Sequence, residues 1–159
     1  MNSPPMTARL RRLPLRLATG AFIVNSGVGK LGLDEQSAAG VQAMAANAFP
    51  PLKSIPPGVF GKLLAGAEIS IGAALLAPVV PAAVAGAALT AFSAGLLTMY
   101  VRTPEMHEDG SLRPTQQGTA VAKDSWLLGI GASLLVDAIV SGECRADCGR
   151  ADSEPAADE

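Results

Sequence analysis

The sequence has few of the residues that most enzyme active sites use. Its 159 residues include one histidine, two cysteines and one tryptophan, and aromatic residues make up 4% of the chain. It also contains no glycine-rich loop of the phosphate-binding kind. These shortages argue against a self-contained metalloenzyme or nucleotide-dependent enzyme, and we predict no metal site.

Charge is also scarce. Charged residues make up 16% of the chain, whereas soluble domains carry about 25%. The chain has twelve basic and fourteen acidic residues, which gives a formal net charge of −2. A basic surface for nucleic acid is therefore not expected, and neither is a water-soluble enzyme.

The longest stretch without charge predicts two membrane helices. Residues 63–101 contain a single charged side chain, Glu68. As one helix this stretch would be about 58 Å long, roughly twice the hydrocarbon thickness of a bilayer. Pro78 and Pro81 interrupt it, and proline disfavours helix at its own and the preceding position. We predict spans at 59–78 and 81–102, joined by a tight turn.

Two further segments complete the predicted bundle. Residues 124–141 are mostly apolar and are uncharged except for an acidic residue near either end. Residues 14–33 contain Arg16 and Lys30 around thirteen uncharged residues, and they span only if both cations extend to the interfaces. The alternative is that the N-terminal arginines belong to a cleaved signal peptide, but no typical cleavage site follows them. We favour the retained helix.

The predicted fold is all-α: an integral membrane four-helix bundle with short connections. Residues 1–13 are expected to be a disordered N-terminus, 14–142 the transmembrane domain and 143–159 an acidic tail. Residues 34–58 are expected to place a helix on the outer membrane surface, the alternative being a partly ordered loop. The arginine cluster before the first span favours cytoplasmic termini, with the lipid bilayer as the main partner.

Small residues at helical spacing predict how the spans pack, because membrane helices associate through closely packed small side chains. The predicted contact faces are Gly61, Ala65, Glu68 and Gly72 in the second span, Ala83, Ala87, Ala91 and Gly95 in the third, and Gly129, Ser133 and Asp137 in the fourth.

Glu68 is the first candidate functional residue. It lies about 12 Å inside the predicted bilayer, where a lone carboxylate is costly. Lys30 is the expected partner, and Asn25 an expected hydrogen-bond donor. Glu68 then either carries protons or hydrogen-bonds a quinone carbonyl, or it forms a structural ion pair that fixes the helix register.

Four more residues complete the candidates. Asp124 starts the fourth span as a ligand-binding residue or a helix cap. Asp137 is expected to pair with Arg16. Cys144 and Cys148 form a C-x3-C pair in the tail, whose spacing suits thiol exchange, a shared metal or lipidation.

Three segments resemble the DoxX-like family of bacterial membrane proteins over roughly residues 12–141. The residues that match are Arg16, Gly27 and Lys30 in RLATGAFIVNSGVGKLG, Lys62, Gly66 and Glu68 in GKLLAGAEISIGAALL, and Lys123 and Asp124 in AKDSWLLG. Ser26 and Gly29 depart from the family pattern, in which polar residues, often histidine at the first position, are common.

The resemblance implies a four-helix inner-membrane protein related to the membrane subunit of thiosulfate:quinone oxidoreductase. We therefore expect a membrane component of a quinone-linked sulfur or thiol redox system, with quinone as its ligand and other membrane proteins as partners. The alternative is a non-enzymatic accessory or scaffolding subunit of a larger membrane complex, for example a respiratory one. Whether the chain is itself an enzyme stays open.

Overall fold

The computed structural model describes residues 6–142, and within this range the chain is helical with five helices of fourteen residues or more. The N-terminal five residues and residues 143–159 lie outside this description. The helices are α1 Met6–Leu31, α2 Glu35–Ala48, α3 Pro57–Leu76, α4 Ala82–Arg102, the single-turn α5 Thr119–Ala122 and α6 Asp124–Val140, with 3-10 turns at Pro50–Ser54 and Pro104–Met106.

Among residues 6–142, three segments are long and apolar enough to cross a membrane. They are Pro57–Leu76, Ala82–Arg102 and Thr119–Val140. The predicted reversal near Pro78 and Pro81 is confirmed, since α3 ends just before the first proline and α4 begins just after the second. Large apolar side chains remain exposed on the outside of these helices. Such exposure is favourable where the helices are surrounded by the hydrocarbon of a bilayer.

The first helix begins earlier than predicted. Instead of a disordered segment up to residue 13, α1 is helical from Met6. Ala8 and Arg12 in its first turns are buried against the other helices, and this packing holds a segment that looks unstructured by composition. With 26 residues α1 is about 39 Å long. Because it carries several arginines, α1 is not among the three helices that are apolar enough to cross a membrane. A fourth crossing therefore stays a prediction.

Helices α1 and α3 form one antiparallel pair in very close contact. A Cβ atom added at Gly72 would lie 2.8 Å from the carbonyl oxygen of Gly20, and one added at Gly27 would lie 2.9 Å from that of Ala65. The backbones therefore approach through glycine. The predicted face of α3, from Gly61 to Gly72, is buried as expected.

Helices α4 and α6 form the second pair. Here a Cβ at Gly86 would lie 3.0 Å from the carbonyl oxygen of Gly131, and one at Gly131 would lie 2.6 Å from Thr90 Oγ1. The two pairs meet in a common core, in which the buried side chains are Ile23, Leu75, Ala85, Leu89 and Leu134.

The predicted contact faces of α4 and α6 were wrong. Ala87 and Ala91 are exposed, and so are Gly129 and Ser133 of α6. The buried faces instead comprise Ala82, Ala85, Gly86, Leu89 and Ser93 in α4, and Gly131, Leu134 and Ala138 in α6. Small residues of α4 occur on nearly all of its faces, so their spacing alone does not identify the face that contacts α6.

A helix between the first two predicted spans is confirmed as α2. Asp34 caps its N-terminus by accepting a 2.8 Å hydrogen bond from the Ser37 backbone N–H. The buried Gln42 side chain holds the following 3-10 turn by donating to the carbonyls of Leu52, at 2.8 Å, and Ile55. The helix packs on α3 and α4, and its place at a membrane surface stays a prediction.

Candidate functional site

A buried ion pair joins α1 to α3. The Lys30 Nζ lies 2.8 Å from Glu68 Oε2, and it also donates a 2.7 Å hydrogen bond to Ser26 Oγ one turn earlier in α1. The Glu68 side chain is 6% exposed and that of Lys30 is 25% exposed. The predicted partnership of Glu68 with Lys30 is therefore confirmed.

Glycine packing positions this pair. A Cβ added at Gly27 would lie 3.0 Å from the Glu68 Cβ, so α1 and α3 are as close here as their backbones allow. Lys30 follows Gly27 by three residues, which places both on the same side of α1. Any larger residue at Gly27 would push Glu68 away from the Lys30 ammonium.

Asp124, a further candidate residue, is the first residue of α6. Its carboxylate is partly buried, and the charges that act on it are those of Glu68 and Lys30. No hydrogen bond or ion pair to this carboxylate is formed by the described part of the chain, residues 6–142. The alternative of a capping aspartate is therefore not realised, because the carboxylate caps no backbone N–H.

We call Lys30, Glu68, Asp124 and Ser26 the charged cluster. It combines two carboxylates with one ammonium, and three helices contribute to it. Lys30 has three N–H donors, and two are used by Ser26 and Glu68. The third has no partner among the described residues. Lys30 therefore keeps one N–H donor, and Asp124 keeps its carboxylate as an acceptor, within the described residues.

The predicted donor Asn25 is not part of this cluster. Its side chain is exposed on the outside of α1, because it lies five residues before Lys30 and so on a different face. Ser26 takes its place. The signal that identifies Ser26 is the spacing of four residues to Lys30, which brings two side chains together on one helix face.

A second charged group closes the opposite end of the described bundle. Arg11 and Arg12 both bind the Asp137 carboxylate, and Arg12 also donates a 3.1 Å hydrogen bond to the Asp137 carbonyl. Arg11 and Arg12 therefore bind the carboxylate for which the sequence predicts Arg16 as the partner. The reason is the early start of α1, which carries Arg11 and Arg12 to the end of α6.

Arg16 instead binds the end of α3. Its guanidinium donates to four backbone carbonyls at 2.7–3.1 Å. Helix C-termini leave carbonyls without intrahelical partners, and a cation there also interacts favourably with the helix dipole. The accepting residues are Ala74, Leu75, Ala77 and Val80. Arg16 therefore closes the turn between α3 and α4 and has a structural role.

Comparisons with known proteins give no relative for the chain: no family model matches it, and no curated protein or solved structure does. The DoxX-like resemblance is therefore an argument from the residues alone. Within residues 6–142, no group of three or more His, Cys, Asp or Glu side chains is placed to hold a metal ion. Cys144 and Cys148 lie outside the described residues.

Proposed function

We propose that the chain is a multi-pass membrane protein whose charged cluster binds a quinone headgroup, as a component of a quinone-linked sulfur or thiol redox system. The observation that carries this proposal is the ion pair of Lys30 and Glu68, in which a carboxylate that is 6% exposed is held by the ammonium group of another helix. Ionisable groups within membrane spans are costly, so they are most often functional.

The donor set suits this class of ligand. A quinone carries carbonyl oxygens that accept hydrogen bonds, and its reduced form carries hydroxyls that donate them. Lys30 would donate its remaining N–H to a carbonyl oxygen of the quinone, and the Asp124 carboxylate would accept a hydrogen bond from a hydroxyl of the reduced form. When bound, a quinone supplies two-electron redox chemistry. The chain's own residues bind and orient it, and they hold protons.

We place α1 as the fourth membrane crossing in this proposal. Its close packing on α3 through Gly20 and Gly27 supports a retained helix rather than a cleaved signal peptide. Four crossings bring both termini to the same side. The cluster of arginines in the first half of α1 supports a cytoplasmic location for that side, and the DoxX-like resemblance supports a bacterial inner membrane. The charged cluster then lies toward the outer surface.

Quinone binding is testable through the single tryptophan of the chain. Trp126 lies two residues after Asp124 and its side chain is 71% exposed. Quinones quench tryptophan fluorescence, so we would titrate decylubiquinone into the protein in lipid nanodiscs. The expected result is a saturable quenching component in addition to the linear one caused by quinone dissolved in lipid.

Two variants locate the binding site. In Glu68→Gln the ammonium of Lys30 loses its carboxylate partner, and the saturable component should be lost or shifted to at least tenfold higher quinone concentration. Asp137→Asn weakens the ion pair at the other end of the bundle and serves as the matched control, which should retain wild-type binding. Equal saturable binding in all three proteins would refute the charged cluster as the binding site, and purely linear quenching in wild type would refute quinone binding.

A second candidate function is an accessory or scaffolding subunit of a larger membrane complex. It is favoured by one observation: small residues of α4 remain on its outer face, with Ala87 and Ala91 exposed and nothing within 4 Å of a Cβ at Gly95. A smooth face of this kind allows another membrane helix to approach closely.

This alternative makes a distinct prediction for Ala87. An Ala87→Phe variant should fold normally, since the side chain points out of the bundle. It should nevertheless lose any chain that copurifies with the wild-type protein in mild detergent. If the wild-type protein purifies alone, or if its partner chain is retained by the variant, this face is not the docking surface.

A further inference from the structure

One end of the described bundle is positively charged. The bonds of Arg12 to Asp137 and of Arg16 to the turn between α3 and α4 bring the start of α1 and the end of α6 together there. Among residues 6–142, this end carries four arginines and one acidic residue, Asp137. The arginines are Arg9, Arg11, Arg12 and Arg16. Its positive charge is therefore compensated only in part by the described residues.

The four arginines differ in how far the bundle uses them. Arg16 bonds the carbonyls at the end of α3, and Arg12 is 4% exposed and bound to Asp137. Arg11 also contacts Asp137, although 60% of its side chain is exposed. Arg9 is exposed and forms no hydrogen bond or ion pair with the described residues. Its guanidinium is therefore open to a ligand from outside the bundle.

Exposed apolar side chains lie on the same side of α1 as Arg9. Leu13 and Leu17 follow Arg9 at four-residue spacing, and each is 47% exposed. Met6 and Leu10 flank this row and are 76% and 63% exposed. We call these five residues the outer face of α1. It combines one unpaired cation with four apolar side chains, and the cation is at the end nearer the helix N-terminus.

The height of Arg9 follows from the contacts of Arg16. Arg16 donates a 2.8 Å hydrogen bond to the Ala77 carbonyl, just past the last residue of the apolar span Pro57–Leu76. Arg9 precedes Arg16 by seven residues, which is about 10 Å along the helix axis. The headgroup layer extends roughly 5–7 Å beyond the hydrocarbon on each side of a bilayer, and an arginine side chain is long enough to reach back to it. Leu13 and Leu17 lie closer to the hydrocarbon.

We propose that the outer face of α1 binds an anionic phospholipid. The Arg9 guanidinium donates hydrogen bonds to the lipid phosphate, whose geometry suits two parallel N–H donors. Leu13 and Leu17 contact the acyl chains below it. The partial compensation of charge at this end favours a lipid with a net negative charge over a zwitterionic one. This site lies at the opposite end of the bundle from the charged cluster, and it does not depend on quinone binding.

The test is a lipid titration followed by native mass spectrometry, in which each bound lipid adds its own mass to the protein. The full-length chain in detergent micelles would be titrated with phosphatidylglycerol, and separately with phosphatidylcholine that has the same acyl chains. Wild type should bind phosphatidylglycerol more tightly. Arg9→Gln should weaken this binding about fivefold, the contribution of one arginine near an anionic membrane surface, and should leave phosphatidylcholine binding unchanged.

Matched variants separate a specific contact from general charge. Arg11→Gln removes the same charge from the same end, but Arg11 lies two residues from Arg9 and so on another side of α1. It should weaken phosphatidylglycerol binding less than Arg9→Gln does. Lys62→Gln removes an exposed cation from the opposite end and should match wild type. Arg9→Lys keeps the charge without the paired donors and should give an intermediate affinity. Leu13→Ser should weaken the binding of both lipids.

Several results would overturn this proposal. Equal affinity of wild type for the two lipids would refute a preference for anionic phospholipid. Equal losses in Arg9→Gln and Arg11→Gln would show that the charge of the whole end acts, and not a site at Arg9. Competition by glycerol 3-phosphate at the affinity of the intact lipid would mean that the leucines contribute nothing and that the ligand is a free phosphate. None of these results bears on quinone binding.

Discussion

The contact between α1 and α3 allows a sharp prediction for Gly72. In Gly72→Ala the new Cβ would lie 2.8 Å from both the Gly20 carbonyl oxygen and the Val24 backbone nitrogen. Unstrained contacts of a carbon with such atoms need about 3.5 Å, so the helices must separate by about 0.7 Å. Backbone atoms cannot rotate away. Overpacking of this kind costs about 1–3 kcal/mol.

Gly66→Ala is a matched control on the same helix, since a Cβ there meets nothing within 4 Å. Both variants gain the same helix propensity, about 1 kcal/mol for glycine to alanine, so their difference isolates the clash. We expect Gly72→Ala to be less stable than Gly66→Ala by about 1–3 kcal/mol. The assay is unfolding by SDS in mixed micelles, followed by circular dichroism. Equal stability of the two variants would refute the close contact of α1 with α3.

Three further predictions concern other parts of the fold. Gly131→Ala should destabilise the pair of α4 and α6 by about 1–3 kcal/mol in the same assay. Gly129→Ala is the control and should not destabilise it, because the space around its Cβ is open. Equal effects of the two substitutions would contradict the α4–α6 contact. Arg16→Gln should lower the free energy of unfolding by about 3 kcal/mol, because charged hydrogen bonds to backbone carbonyls are lost. Arg9→Gln, at an exposed position, is the control and should cost little. If Arg16→Gln leaves the stability unchanged, its role in closing the turn is contradicted. The hydrogen bond from the Ser37 backbone N–H lowers the pKa of Asp34, so the Asp34 cap stabilises α2 above about pH 4 and this stabilisation is lost as the pH falls through the lowered pKa. Hydrogen exchange of α2 should show this loss in the wild-type protein and not in Asp34→Asn. The same response to acid in both proteins would contradict the prediction.

Much of the architecture is predictable because it depends on local properties of the sequence. Absence of charge identifies the three apolar spans, and the prolines near residue 80 place the reversal between two of them. The pairing of Glu68 with Lys30 is also predictable, since a carboxylate in an apolar helix needs a cation and Lys30 is the one at the matching depth.

Other features depend on tertiary packing that spacing does not encode. The small residues of α4 are compatible with several contact faces, and only the meeting of Gly86 with Gly131 selects one. The early start of α1 depends on the burial of Arg12 against Asp137, a contact between residues far apart in the chain. The same contact gives Asp137 two partners, Arg11 and Arg12, that the sequence alone does not predict. The sequence predicts Asn25 near Lys30, whereas the structure places Ser26 there, at the four-residue spacing that brings two side chains to one helix face.

The most direct test of the central claim is the quinone content of the protein purified in mild detergent. Lipid extracts of wild type, Glu68→Gln and the Asp137→Asn control would be assayed for quinone per chain, and any copurifying chains would be identified. Binding at the charged cluster predicts quinone enriched over the membrane lipid in wild type and in the control, and lost in Glu68→Gln. Quinone at the same level as in bulk lipid in all three proteins would contradict it.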